Sequence, residues 1–143
     1  KKGQILRKKQ DWPSRLAEAI EAGRHKRFQY GAHDCALFCA ACILAVTDFD
    51  PAADFRGRYS TALGAKRKLT QAGFSGLEDL AEKTCGPALE NIFKGQRGDA
   101  ALVDTPEGPA LGIIDLTGRK IVLAGPEGLS FLKLDRALKV WRV

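Results

Sequence analysis

At 143 residues the chain has the length of one ordinary domain, and a composition of 45% hydrophobic and 28% charged residues suits a globular protein with a single core. No apolar run approaches the roughly 20 residues that span a bilayer, and no apolar stretch follows the positive N-terminus, so neither a transmembrane segment nor a secretory signal is expected. The net charge of +6 is uneven: Lys1, Lys2, Arg7, Lys8 and Lys9 put five positives and no acid into the first ten residues, while the remainder carries 18 basic and 17 acidic groups.

Residues 1–10 therefore read as a basic arm, solvated and partly flexible, and residues 11–143 as one domain with no internal repeat and no linker. No zinc-finger spacing and no basic helix stand out in the body of the chain, so specific nucleic-acid binding is not expected. Asp11-Trp12-Pro13-Ser14 has the form of a helix start, with Asp11 as cap, Leu16, Ala19 and Ile20 as the apolar stripe and Gly23 as the end. The segment FQYGAHDCALFCAACILAV then passes from an extended stretch, through Gly31, into a helix that starts near Asp34 and is apolar on most sides, as the buried centre of a domain would be.

A polar connection follows from Thr47 to Tyr59. Within it, Phe55-Arg56-Gly57-Arg58-Tyr59 sets two guanidinium groups and two aromatics around a glycine. Arg56, Arg58 and Tyr59 are candidates to grip a carboxylate or phosphate; equally, Phe55 and Tyr59 can anchor a loop in the core. Helices are expected over Ser60–Gln71 and Leu77–Lys83, closed by Gly73 and by Gly86-Pro87. From Gln96 onward the runs DAALV, ALGIIDL, KIVLAG and KVWRV are short, β-rich and separated by Gly and Pro turns, with Trp141 as an edge-strand anchor. Helices first and strands afterwards predict an α+β fold with an antiparallel sheet of four to six strands.

Cys35, Cys39 and Cys42 share the C-x-x-x-C-x-x-C spacing of radical SAM cluster loops, but Ala, Leu, Phe, Ala and Ala between them favour helix and align the sulfurs along one face. Cys39 and Cys42 are thus expected as packing residues, with no metal and no cofactor. Three thiols in one apolar segment do not make a secreted disulfide framework, and synthesis in a reducing bacterial cytoplasm is expected. Cys35 differs by position. It falls in the first turn, after the Asp34 cap, where free N–H groups and the helix dipole favour a thiolate nucleophile.

Phe28-Gln29-Tyr30-Gly31-Ala32-His33-Asp34-Cys35-Ala36-Leu37-Phe38 resembles the nucleophile motif of NlpC-type papain-like cell-wall peptidases: aromatic-x-aromatic-Gly, a short loop, then Asp-Cys and an apolar helix. Arg97-Gly98-Asp99-Ala100-Ala101-Leu102-Val103 resembles the family's Gly-Asp strand, Leu111-Gly112-Ile113-Ile114 the next strand, and Gly118-Arg119-Lys120-Ile121-Val122-Leu123-Ala124 the hairpin after it, so the likeness covers residues 12 to 124. It implies a papain-like domain in which N-terminal helices, including the one that carries Cys35, pack on a C-terminal sheet. The family's catalytic histidine falls on Ala110, its orienting polar residue near Leu123 and its oxyanion tyrosine on Phe28.

The chain holds only His25 and His33, both before Cys35, so no imidazole can come from the sheet. His33 is the one nearby partner for the thiol, or else a loop or capping side chain. Asp99, Asp104 and Asp115 are weaker candidates, with Asp99 suited to fixing a turn. Losing the base costs about a hundred- to ten-thousand-fold in rate, which points away from efficient amide cleavage. Small free-standing domains of this type resemble those of tailed-bacteriophage tail tips. The resemblance therefore implies a degenerate, virion-located tail-tip or hub protein, with tail-tip proteins and peptidoglycan as partners. The alternative is an active cysteine peptidase or amidase that uses Cys35 with an unconventional base.

Overall fold

The computed structural model describes residues 6–143, so Lys1 and Lys2 of the expected arm lie outside the described residues. Four helices come first: α1 (Trp12–Arg24), α2 (Cys35–Thr47), α3 (Ala62–Gln71) and α4 (Leu77–Cys85). Five strands follow: β1 (Ala100–Thr105), β2 (Gly108–Ile114), β3 (Lys120–Gly125), β4 (Gly128–Lys133) and β5 (Ala137–Trp141). The strands form one antiparallel sheet in the order β4-β3-β2-β1-β5. The α+β reading holds. Among the described residues no helix is long and apolar enough to cross a membrane.

In α1 the expected stripe is present, but two details differ. Asp11 makes no capping hydrogen bond; its carboxylate accepts instead from Arg15 Nε at 2.8 Å. The helix runs one residue past the expected end at Gly23, to Arg24. Gly23 is buried inside it, where a Cβ would come within 2.5 Å of Phe38 Cε1, so the absent side chain lets α1 lie close on α2. Two of the three hairpin tips, β1–β2 and β3–β4, are Pro-Glu pairs followed by a glycine at positive φ, Gly108 (φ 107°) after Pro106-Glu107 and Gly128 (φ 112°) after Pro126-Glu127. The sequence reading passed over β4, which sits at the sheet edge with partly exposed side chains and so carries no apolar run.

Both faces of the sheet are covered, which is why β1 to β3 read as continuous apolar runs rather than alternating ones. On one face Leu102, Leu111, Ile113, Val122 and Trp141 meet Phe38, Cys39 and Cys42 of α2 and Leu16 of α1. On the other, Ala101, Val103, Ala110, Ile121, Leu123 and Val140 form a second cluster against Leu89, Ile92 and Leu134. Burial of each such Leu, Ile or Val stabilises the fold by about 1.5–3 kcal/mol relative to leaving it in water. Trp141 is fully buried on edge strand β5, as expected of an anchor.

Residues 6–10 are docked rather than free. Leu6 packs on the helical core, Lys9 N donates to Val46 O at 2.8 Å, and the Lys8 ammonium lies over the Trp12 ring and donates to Val143 O. The solvated-arm reading does not describe this part of the segment, because Leu6 and two backbone or side-chain donors find partners on the body.

Candidate functional site around Cys35

Asp34 builds the start of α2. Its Oδ1 accepts from Leu37 N at 2.9 Å, the expected cap, and its Oδ2 accepts from Gly31 N at 3.1 Å. A third donor comes from far along the chain: Tyr59 Oη reaches Asp34 Oδ2 at 2.5 Å. The carboxylate is 3% exposed, so these donors replace its hydration. Gly31 makes the arrangement fit. Its φ is +86°, and a Cβ there would lie 1.8 Å from the Tyr59 carbonyl oxygen, while Gly57 N donates to Gly31 O at 2.8 Å.

Cys35 is the first residue of α2 and joins the apolar cluster that contains Ala110 and Leu123. Near it, β2 and β3 pair only through Ile113–Val122 and Ile114–Ile121, while β2 stays paired to β1 as far as Gly108. The strands therefore part beyond Gly112, and α2 lies across the two of them, with Cys39 Sγ donating to Gly112 O at 3.4 Å. Burial pushes the Cys35 thiol pKa up and the Asp34 carboxylate adds to this, while the N–H groups of Leu111, Ala36 and Cys35 itself pull the other way. The expectation of a thiolate-favouring helix start is thus corrected. Helix-end donors are present, but desolvation outweighs them.

His33 does not reach the sulfur. It is 7% exposed, its ring stands edge-on to Phe38 at 5.8 Å, and its backbone pairs with Gln29. Burial lowers its pKa, with Lys26 adding to this and Asp34 opposing. Among the described residues no hydrogen bond joins it to Cys35.

The Arg-aromatic segment divides. Phe55 is buried beside Leu37 and Ala40, and Arg56 braces its own loop through Asp50 Oδ1 at 3.1 Å. Arg58 is exposed and makes no ion pair among the described residues. Only Tyr59 joins Cys35 and Asp34. Its phenol pKa is driven far up, first by burial and then by the Asp34 contact, so it remains a donor rather than a base. The sequence leaves Tyr59 open as either a ligand-gripping residue or a core anchor of its loop, and its packing beside Phe55 is that of an anchor. Nothing in the sequence signalled that the loop folds back onto the cap.

Asp99 lies elsewhere and is fully buried. It accepts from Gln96 N at 2.8 Å and Val143 N at 3.0 Å, which bears out a turn-fixing role. One further correction concerns charge: α3 carries Lys66, Arg67 and Lys68 without an acidic residue and buries none of its side chains, so the body does contain a short basic helix.

The family model described as a domain of unknown function (DUF6950) matches residues 7–143. The chain belongs to this family. The match takes in Asp34, Cys35, Tyr59 and all five strands, and it begins within the docked segment ahead of α1. A search of the curated proteins finds no match.

Proposed function

We propose that this DUF6950 member is an NlpC-like, papain-type domain that has lost its catalytic base and serves as an assembly component of a bacteriophage tail tip or hub. One observation carries the reading of lost chemistry. Cys35 packs against a cluster that holds Ala110 and Leu123, the positions where the NlpC resemblance calls for a histidine and its orienting partner. An aliphatic pair cannot accept the thiol proton or return one to a leaving amine. The tail-tip role rests on analogy with small free-standing domains of that type, and the peptidoglycan partner with it.

The test restores what is missing. Ala110→His is expected to place an imidazole beside Cys35 and to raise its alkylation rate at neutral pH by about tenfold or more. An unchanged rate in a folded variant would show that position 110 does not face the sulfur, and the NlpC register would fail. Wild type and Cys35→Ala should be equally unable to clear peptidoglycan. Clearing by wild type that Cys35→Ala abolishes would favour the second reading, an active cysteine peptidase or amidase. The contact of Tyr59 with Asp34 beside the thiol gives that reading its one supporting feature. The assembly role is checked by mass spectrometry of purified tails, in which both proteins should be present at equal levels.

A further inference from the structure

A different feature lies where the segment before α1 meets the loop before β1. Lys8, Trp12, Gly95, Gln96, Arg97 and Gly118 line an open groove of about 510 Å³. None of the six is acidic. The Arg97 guanidinium stacks on the Trp12 ring with its carbon 5.1 Å from the centroid, and the Lys8 ammonium lies 5.4 Å from the same centroid. One indole thus orients two cations, and a stacked guanidinium keeps its donor edge open.

Lys8 is partly engaged already, donating to Val143 O and standing within ion-pair reach of Asp99. Asp99 is committed to Gln96 N, Val143 N and Arg142 Nε (3.2 Å), and stands 4.0 Å from Lys8 Nζ. Arg97 makes no ion pair among the described residues, although Arg15, Arg24, Arg56 and Arg142 all do. Gly118 adds to the opening, since its missing side chain would have stood 3.6 Å from Arg97 Cγ.

We infer that this groove is a binding site for an acidic peptide segment of a partner protein, with one carboxylate held bidentately by the Arg97 fork and offset by Lys8. Two cations at a single point do not make a phosphate track, which sets a nucleic-acid backbone aside. The groove is also larger than a lone oxyanion needs, leaving room for flanking peptide. The site is independent of the Cys35 chemistry and stands or falls without it.

Trp12 supplies the readout, because it borders the groove while Trp141 is fully buried. Fluorescence of the full chain at physiological ionic strength would be titrated with Ac-Glu-Glu-NH2, Ac-Gln-Gln-NH2, inorganic phosphate and a short DNA duplex. A saturable change with the glutamyl peptide alone is expected, with a Kd on the order of a millimolar. Arg97→Gln should weaken it by about tenfold or more and Arg97→Lys nearly as much, since the planar fork is lost. The Lys66→Gln/Arg67→Gln variant of basic α3 should bind as wild type does, and Trp12→Phe should remove the signal. Arg97 is exposed, so its variants should keep the wild-type melting curve. No saturable response to the glutamyl peptide, an equal response to the glutamine peptide, tighter binding of phosphate or DNA, or unchanged binding in a folded Arg97→Gln would each overturn the assignment.

Discussion

The Tyr59 hydroxyl supplies one of three donors to a carboxylate that water scarcely reaches, and that carboxylate holds the first turn of α2. Tyr59→Phe removes the donor and leaves the ring in place. The expected loss is about 1–2 kcal/mol of unfolding free energy, read by urea titration. No loss would mean that the cap stands without the loop. The thiol beside it gives a second expectation. Because burial and Asp34 raise the Cys35 pKa from the ordinary value of 9.0, iodoacetamide should label Cys35 more slowly at pH 7 than it labels free cysteine. Labelling should then climb as pH passes the ordinary thiol range. Peptide mapping of the labelled site checks this, and a Cys35 faster than free cysteine at pH 7 would contradict it. The cap and the position of Cys35 were legible in the local string Asp34-Cys35-Ala36-Leu37. The direction of the pKa shift was not, because it is set first by burial among segments distant in sequence.

At the scale of elements, the loop from Asp48 to Thr61 and the start of α2 are locked where two backbones nearly touch. Gly31 and Gly57 both have positive φ, at +86° and +76°, but their surroundings differ. A Cβ on Gly31 would lie 1.8 Å from the Tyr59 carbonyl oxygen, whereas one on Gly57 meets nothing within 4 Å. Gly57→Ala should therefore cost only about 1–2 kcal/mol, the penalty of a left-handed residue. Gly31→Ala should cost more than that, about 3 kcal/mol or above, because the loop must also move away from the Asp34 cap. Thermal or urea unfolding of the two variants side by side decides it, and equal losses would mean that the close approach is not there. Element types were read well from periodicity and breakers, α2 and the three central strands above all. The miss was β4, whose exposed edge erases the apolar signal; the packing of Gly23 on Phe38 was also beyond a reading of local breakers.

Across the whole molecule, Asp99 ties together segments distant in sequence. It accepts from Gln96 N and Val143 N, pairs with Arg142 and lies 4.0 Å from Lys8. Burial raises its pKa, so as a charged group it costs some stability at neutral pH. Removing it nevertheless strands its donors, and Asp99→Ala should lose about 3 kcal/mol. Equilibrium unfolding measures this, and a neutral effect would show that water satisfies those donors. Two desolvated thiols, buried Cys42 and half-buried Cys85, give a pH dependence. Burial raises the pKa of Cys42 and of Cys85 to about 12, from an ordinary value of 9.0. The unfolded chain therefore loses these protons first as pH rises. Their contribution is fully present below pH 9.0 and is lost as pH climbs toward about 12, so urea midpoints should fall steadily across that window. Flat midpoints would place those sulfurs in contact with water.

Sequence alone determined what depends on neighbours within a few residues: the Asp34 cap, turn glycines, the apolar α2 and the separation of helices from strands. It also determined that no histidine follows Cys35, since composition and order are properties of the string itself. Only the tertiary structure decided what surrounds the sulfur. Desolvation, the Leu111 amide and the Tyr59–Asp34 contact come from segments that are remote in sequence and meet only when α2 lies across the parted strands β2 and β3. A proton's affinity for sulfur follows that assembled field rather than the residues on either side of it.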